Sequence, residues 1–283
     1  MTPTLVRQHP SRTGAAPRVD LRARARDWSE IQERMLVPLY EAVYERLDVG
    51  PATRLLGLGC GSGLALLMAA SRGAAITGVD TSSDRLALAR ERLLPDERDP
   101  SRTDTRIVQG CPAEAAPAHS AGYTVVTAFE PIGCLAGDAE GLGELLAEAL
   151  PLAGPGAAVV LAGWGPPERC ATSSVLRVAA KLAEPLGGAD AWRPTERDDL
   201  EQVAGRAGLR PDGSGRVACP FGYADTDSAV RGLKSTGLFD PAITATDQVQ
   251  VDKELTEALH PYQRADGTVW MPNVFRYLVA RVP

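Results

Sequence analysis

Glycine recurs at 57, 59, 61 and 63 in the stretch Arg54-Leu-Leu-Gly-Leu-Gly-Cys-Gly-Ser-Gly-Leu64, where an apolar strand pattern gives way to an apolar helix pattern. A turn without Cβ atoms at alternate positions lets backbone N–H groups approach a ligand, and the following helix N-terminus faces it. Downstream, Ile76-Thr-Gly-Val-Asp80 reads as a second strand ending in one carboxylate, placed to take a ribose diol. A dinucleotide fingerprint, GxGxxG, needs a third small residue at Ser62 or Leu64, depending on the register, and neither register fits well. The observed G-x-G-x-G suits a single nucleoside that carries a short zwitterionic tail.

Three further residue types bear on chemistry. Glu130 follows the strand pattern Tyr123-Thr-Val-Val-Thr127 at its C-terminal end, the rim where ligands sit in sheets of this kind. It is the first candidate for a base or for orienting a substrate, against an exposed loop carboxylate or an indirect cofactor contact. His260, in Leu259-His-Pro-Tyr262, has a side chain suited to proton abstraction, against a plain surface helix end. His9 and His119 fall in polar surroundings and carry no role. Cys60 lies in the glycine turn with no His or Lys nearby to activate it, so it is a backbone position of the turn and not a nucleophile. The five cysteines form no CxxC or Cys/His cluster, which supports neither a disulfide framework nor a metal site.

The elements that position these residues alternate. Trp28, Ile31, Met35, Leu36, Leu39, Tyr40, Val43 and Leu47 recur at helical spacing, with Asp27 as the expected cap and Pro38 expected to kink the segment or start its second half. Residues 27–48 are thus candidate lid helices over the glycine turn. Thr81 to Asp84 begins a helix, residues 95–104 are a polar loop, and Thr105 to Gln109 is a third strand. A fourth strand covers 123–127, a helix 142–152, and an apolar fifth strand 157–162. Strand and helix alternation predicts a parallel sheet with helices on both faces. Helices are expected over 175–182, from a cap at Thr195 to Gly208, and over 226–236 and 247–259. Residues 185–193 are a loop, and the second half of 269–280 is a strand. Residues 165–268 read as sheet elements interleaved with a substrate cap, where Trp164, Phe221, Tyr223 and Tyr262 line either a pocket or the core. Residues 1–26, rich in Arg, Pro and Thr, read as a flexible tail before a single domain over 27–283.

A net charge of -6 and a pI near 5.2 argue against a nucleic-acid backbone as the main partner. No apolar run approaches the ~20 residues of a membrane helix, and no secretory h-region precedes the domain. A cytoplasmic, reducing setting is the expectation, and the sequence leaves the oligomeric state open.

Leu55 to Gly63, Val79-Asp80, Gly110 to Glu114, Tyr123 to Val126 and the Pro155-Gly156 turn resemble, in order and spacing, the class I S-adenosylmethionine-dependent methyltransferases. Trp28-Ser-Glu and Asn273-Val-Phe-Arg-Tyr further resemble small-molecule methyltransferases of actinobacteria. The resemblance implies a Rossmann-like, doubly wound, seven-stranded, mostly parallel sheet with a reversed last hairpin and a C-terminal substrate cap. It implies S-adenosylmethionine as cofactor. Its methionine end would lie at Gly57, Gly59, Cys60, Gly61 and Gly63, with Phe129 alongside. Its ribose would lie at Asp80 and Thr81, and its adenine near Cys111, Pro112 and Ala113. Gly57, Cys111 and Thr124 stand where the family carries acidic residues, and Glu114 and Glu130 are the carboxylates placed to compensate. Methyl transfer to a small molecule in secondary metabolism is the function implied. The alternatives are a cofactor-binding relative catalysing a non-methylating step, an NAD(P)-dependent oxidoreductase, and a binding protein that has lost the cofactor.

Overall fold

In the computed structural model the described residues are 20–94, 104–116, 122–183, 196 and 198–283. The expected loops at 95–104 and 185–193, His9, His119, the Thr195 cap and most of the tail lie wholly or largely outside them. Asp20 starts the first helix, α1 (Leu21–Asp27), by accepting from Arg22 N and Ala23 N at 3.1 and 3.0 Å. The helix therefore begins before Asp27, the residue expected to cap it, and residues 21–26 belong to it and not to a tail. Asp27 instead pairs with Arg231 across the molecule. A π-helical turn (Trp28–Gln32) and a 3-10 turn (Glu33–Leu36) follow, then α2 (Val37–Arg46). Pro38 sits in the first turn of α2, where its missing N–H has no intrahelical partner to lose.

The sheet then builds in sequence order: β1 (Arg54–Leu58), α3 (Leu64–Ala70), β2 (Ala75–Asp80), α4 (Ser83–Leu93), β3 (Thr105–Gln109), β4 (Tyr123–Ile132), α5 (Asp138–Ala149) and β5 (Ala153–Trp164). Ser82 caps α4 by accepting from Arg85 N. After α6 (Thr172–Ala183) and α7 (Asp199–Arg206) come β6 (Arg210–Ala218), β7 (Phe221–Tyr223), α8 (Thr226–Ser235), α9 (Asp240–Ala245), α10 (Gln248–Leu259), β8 (Val269–Met271) and β9 (Val274–Arg281). Strand order is β3-β2-β1-β4-β5-β9-β6. The first five strands pair in parallel, and β9 pairs antiparallel with both β5 and β6. This is the seven-stranded, mostly parallel, doubly wound sheet with a reversed last hairpin that the resemblance implied.

Alternate residues of each strand feed opposite faces. Leu55, Ile76, Val125 and Val160 pack with Leu39, Tyr44, Leu66 and Leu86 on one side. On the other side Leu56, Val79, Val126 and Leu161 pack with Leu142, Leu146, Leu200 and Val203. Large side chains such as Tyr44, Leu39 and Phe275 are fully buried, each contributing about 1.5–3 kcal/mol of transfer free energy. The β7–β8 ribbon and α8–α10 form a separate layer, in which α8 packs on the π-helical turn and α9 and α10 on α6. Two of these elements, α9 and the short ribbon, fall in a stretch where the sequence pattern is loose.

Candidate functional site

Strand order reverses between β1 and β4, and the C-terminal ends of those two strands flank a cavity of about 500 Å3, mouth included. Such a switch point is where open α/β sheets hold ligands. Gly57, Gly59, Cys60 and Gly61 form its floor, Phe129 and Glu130 one wall, and Trp28, Glu33, Leu36 and Tyr40 of the lid its roof. All four roof residues come from the segment 28–40 that precedes β1. Gly61 is required twice, by its left-handed φ of +57° and because a Cβ there would approach Trp28 Nε1 to 3.0 Å and Glu33 Oε1 to 3.3 Å. Gly63 faces away from the cavity, since a Cβ there would meet Leu93 and Ala89 of α4.

Asp80 closes β2 beside the turn. Its two oxygens accept from Gly61 N and Ser82 N, each at 2.8 Å, so the carboxylate both braces the glycine turn and starts the next loop. Each oxygen keeps a further lone pair for a ligand hydroxyl. Thr81 lines an adjoining groove with Ser82, Arg85 and Arg24. Cys111, Pro112 and Ala113 stand at the end of β3, in and before a short 3-10 turn, and line neither cavity described here. Glu114 of that turn folds its carboxylate back over Gly110, which places an acid beside Cys111.

Two of the three acidic departures have a structural reading. At Gly57 a Cβ would come within 2.9 Å of Leu66 Cδ2, so the space beyond this position is filled by a buried leucine. Thr124 lies at the N-terminal end of β4, away from the cavity, and its Oγ1 accepts from Arg54 N at 2.9 Å. It supports the start of β1.

A second cavity, about 470 Å3 with its open mouth included, adjoins the first and shares Trp28, Leu36 and Glu130 with it. Its remaining wall is mainly apolar: Trp164, Phe221, Phe275, Leu238, Pro131 and Cys134. Trp164 and Phe275 pack at a tilt, 4.6 Å between ring centroids, and Phe221 contacts both. The four aromatics for which pocket and core were open readings divide here. Trp164 and Phe221 do both jobs, whereas Tyr223 is buried against Gln32, donating to its Oε1 at 2.9 Å. Tyr262 bonds Ser174.

Glu130 is the carboxylate common to both cavities. Its surface remains accessible, yet it faces the space that the two cavities enclose, and the protein packed around it desolvates the carboxyl. That burial raises its pKa above the ordinary 4.5; Arg85 opposes the shift and Asp80 adds to it. Arg85 also stacks on the Trp28 ring at 4.4 Å. The Cys60 thiol is pushed up to about 12, chiefly by burial, which keeps it protonated and unreactive. His260 lies exposed at the C-terminal end of α10 and lines neither cavity.

Glu33, Arg85 and Arg92 were not singled out from sequence. Glu33 was legible, because it is the one charged member of the series 33, 36, 40, 43, 47 that is otherwise apolar. It is 3% exposed. Arg92 pairs with it at 2.8 Å and also bonds Ser62 O and Ser29 Oγ. Among the described residues no group of His, Cys, Asp and Glu could hold a metal ion, and no helix is long and apolar enough to cross a membrane.

A doubly wound sheet with a glycine turn at its switch point and an acid closing the next strand defines a Rossmann-like nucleoside-binding fold. The family model described as methyltransferase domain matches residues 55–156, from β1 into β5. No curated protein matches the chain in sequence. Among solved structures, a candidate methyltransferase from Bacillus halodurans C-125 superposes with a TM-score of 0.53 at 15% identity, over 86% of this chain and 98% of that one. YjhP from E. coli does so at 0.51 and 21% identity, over 92% and 99%. Geranyl diphosphate C-methyltransferase from Streptomyces coelicolor A3(2), solved with S-adenosyl-L-homocysteine, gives 0.50 at 15% identity, over 89% and 80%. Residues 55–156 thus match a methyltransferase domain, the chain shares the fold of these solved structures, and S-adenosylmethionine is the cofactor that the resemblance to class I methyltransferases implies. The first cavity suits that cofactor: a floor of three glycines and Cys60, an acid nearby at the end of β2, and a buried indole N–H on the roof with no hydrogen-bond partner among the described residues.

Proposed function

We propose that this enzyme methylates a small, largely apolar molecule seated in the aromatic cavity, with Glu130 as the base. The observation that carries the proposal is the shared wall: one carboxylate borders both the cavity at the glycine turn and the aromatic cavity. S-adenosylmethionine, when bound, supplies a methyl group activated on a sulfonium. Gly57, Gly59, Cys60, Gly61 and Phe129 would line its methionine end, Asp80 and Thr81 its ribose, and Cys111 to Ala113 its adenine.

An acceptor seated in the second cavity would present its heteroatom or acidic carbon to that methyl group. The acceptor's proton passes to Glu130. Positioning is most of the work, because in-line geometry at roughly 3–3.5 Å converts a bimolecular step into an effectively unimolecular one. Trp164, Phe221 and Phe275 hold the apolar body of the acceptor, and the Glu130 carboxylate selects a polar reacting group at its edge. A site of this size and polarity fits secondary metabolism. The free cysteines, four of them buried, fit a reducing cytoplasm.

The test supplies S-adenosylmethionine with a deuterated methyl group to a panel of hydroxylated and amino-substituted aromatics and terpenoids. Product mass should rise by one labelled methyl group for an apolar acceptor. Turnover of an acceptor with no label gained would assign the site to a non-methylating step.

A further inference from the structure

We propose that the lid, and not β1, grips the amino-acid end of the cofactor, through the indole N–H of Trp28 and the carboxylate of Glu33. This rests on the cofactor being S-adenosylmethionine and deepens that assignment. It does not depend on which acceptor is methylated.

The lid departs from α-helical geometry where these two residues sit. In the π-helical turn Trp28–Gln32, Glu33 N donates to Trp28 O, five residues back. A widened turn of this kind rotates the residues that follow it, and such turns recur at functional sites. Here it brings Trp28 and Glu33 to one place. Trp28 Nε1 and Glu33 Oε1 stand 3.0 and 3.3 Å from the position a Cβ on Gly61 would take.

Their hydrogen bonding is lopsided in a way that points into the cavity. Trp28 Nε1 is buried and has no hydrogen-bond partner among the described residues. A buried N–H left unsatisfied is costly, and native structures rarely keep one without a reason. Glu33 divides its oxygens. Oε2 accepts from Arg92 at 2.8 Å and from Ser62 Oγ, whereas among the described residues Oε1 accepts only from Leu64 N, at a long 3.3 Å. Oε1 thus keeps an acceptor site open toward the glycine turn.

A donor without a partner and a half-used carboxylate oxygen, side by side, match an α-amino acid. The indole N–H donates to the ligand's carboxylate, and the ligand's ammonium donates to Glu33 Oε1. Position 57, where the family carries an acid, is a glycine with Leu66 packed against it, so no carboxylate is presented from β1 there. The acid has moved from the strand to the lid.

Calorimetric binding of two ligands separates this from a purely structural role. S-adenosylhomocysteine carries the amino-acid end, and 5′-methylthioadenosine carries the same nucleoside thioether without it. Loss of one charge-assisted hydrogen bond should weaken S-adenosylhomocysteine about tenfold or more in both Glu33→Gln and Trp28→Phe. Affinity for 5′-methylthioadenosine should stay within about twofold of wild type in both. Equal losses for the two ligands would overturn the inference by showing that the substitutions loosen the site as a whole. Unchanged S-adenosylhomocysteine affinity would overturn it directly. Trp28→Phe leaves the Glu33–Arg92–Ser62 cluster intact, so it tests the donor half even where Glu33→Gln disturbs the lid. A wild-type protein inert toward every acceptor, with variants that still show this ligand-selective loss, would sink the acceptor reading and leave the lid clamp standing.

Discussion

The two cavities that meet at Glu130 are built from different materials. The one at the glycine turn is floored by backbone and ringed by charge: Glu33, Arg85 and Glu130, with Asp80 bracing the turn. The other is walled by Trp164, Phe221, Phe275 and Leu238, side chains that could change size without disturbing a hydrogen-bond ladder. A site that takes one invariant ligand can be fixed in main-chain geometry. A site whose ligand defines the individual enzyme is better carried by side chains on a separate layer, since those are replaceable one at a time. The molecule follows that division, with the first cavity on β1, the glycine turn and β4, and the second drawing on side chains of β5, β7, β9 and the loop after α8.

The strongest way to break this comparison is at the residue both cavities share. Glu130→Gln should lower the rate of methyl transfer by about 10²–10⁴-fold, the usual range for a general base, while S-adenosylhomocysteine affinity moves little. In the wild type the rate should climb with pH through the raised Glu130 pKa, because only the deprotonated carboxylate accepts a proton. That limb should vanish in the variant, and a pH–rate profile unchanged by Glu130→Gln would remove it as the base. Asp80→Ala comes next. It deletes the ribose acceptor together with the brace on Gly61, and should cost about a hundredfold in cofactor affinity by calorimetry. Near-normal affinity would refute the placement of the ribose. The smallest effect belongs to the aromatic side. Phe221→Leu should raise the KM for the acceptor several-fold, roughly the scale of trimming a hydrophobic pocket, with S-adenosylhomocysteine affinity unchanged. If cofactor affinity fell in parallel, the two cavities would not be separable.

Much of the first cavity was legible in the sequence because its signals are local. Glycine spacing, an apolar strand and a closing acid lie within one βαβ unit, and β1 to β5 follow a pattern in which every element announces its own period. What could not be read depends on partners far along the chain. The edge strand β6 has the sequence Arg-Pro-Asp-Gly-Ser-Gly-Arg-Val-Ala, poor in strand formers, and is ordered by its antiparallel ladder with β9. The start of α1 was missed because Leu21-Arg-Ala-Arg-Ala-Arg26 carries no apolar stripe. Its helix rests on the Asp20 cap and on packing against α4 and α8. Trp28 was noticed as an apolar helix position. That it meets Glu33 depends on the π-helical turn, which no periodicity of 3.6 would place.

The fastenings of the lid bear on how the protein is made. Gln32 accepts from Tyr223, Asp27 pairs with Arg231, and Arg24 pairs with Asp240, contacts spanning 191, 204 and 216 residues. A ribosome delivers residues at roughly 5–20 per second, N-terminus first. The first described helix therefore emerges well before the segment that secures it. Until residues 223–240 have been synthesised, the roof lacks these three ties and is held chiefly by Arg92, which pairs with Glu33 and bonds Ser29. Completion of the donor cavity then waits on a segment that emerges 191 to 216 residues after the helices that roof it.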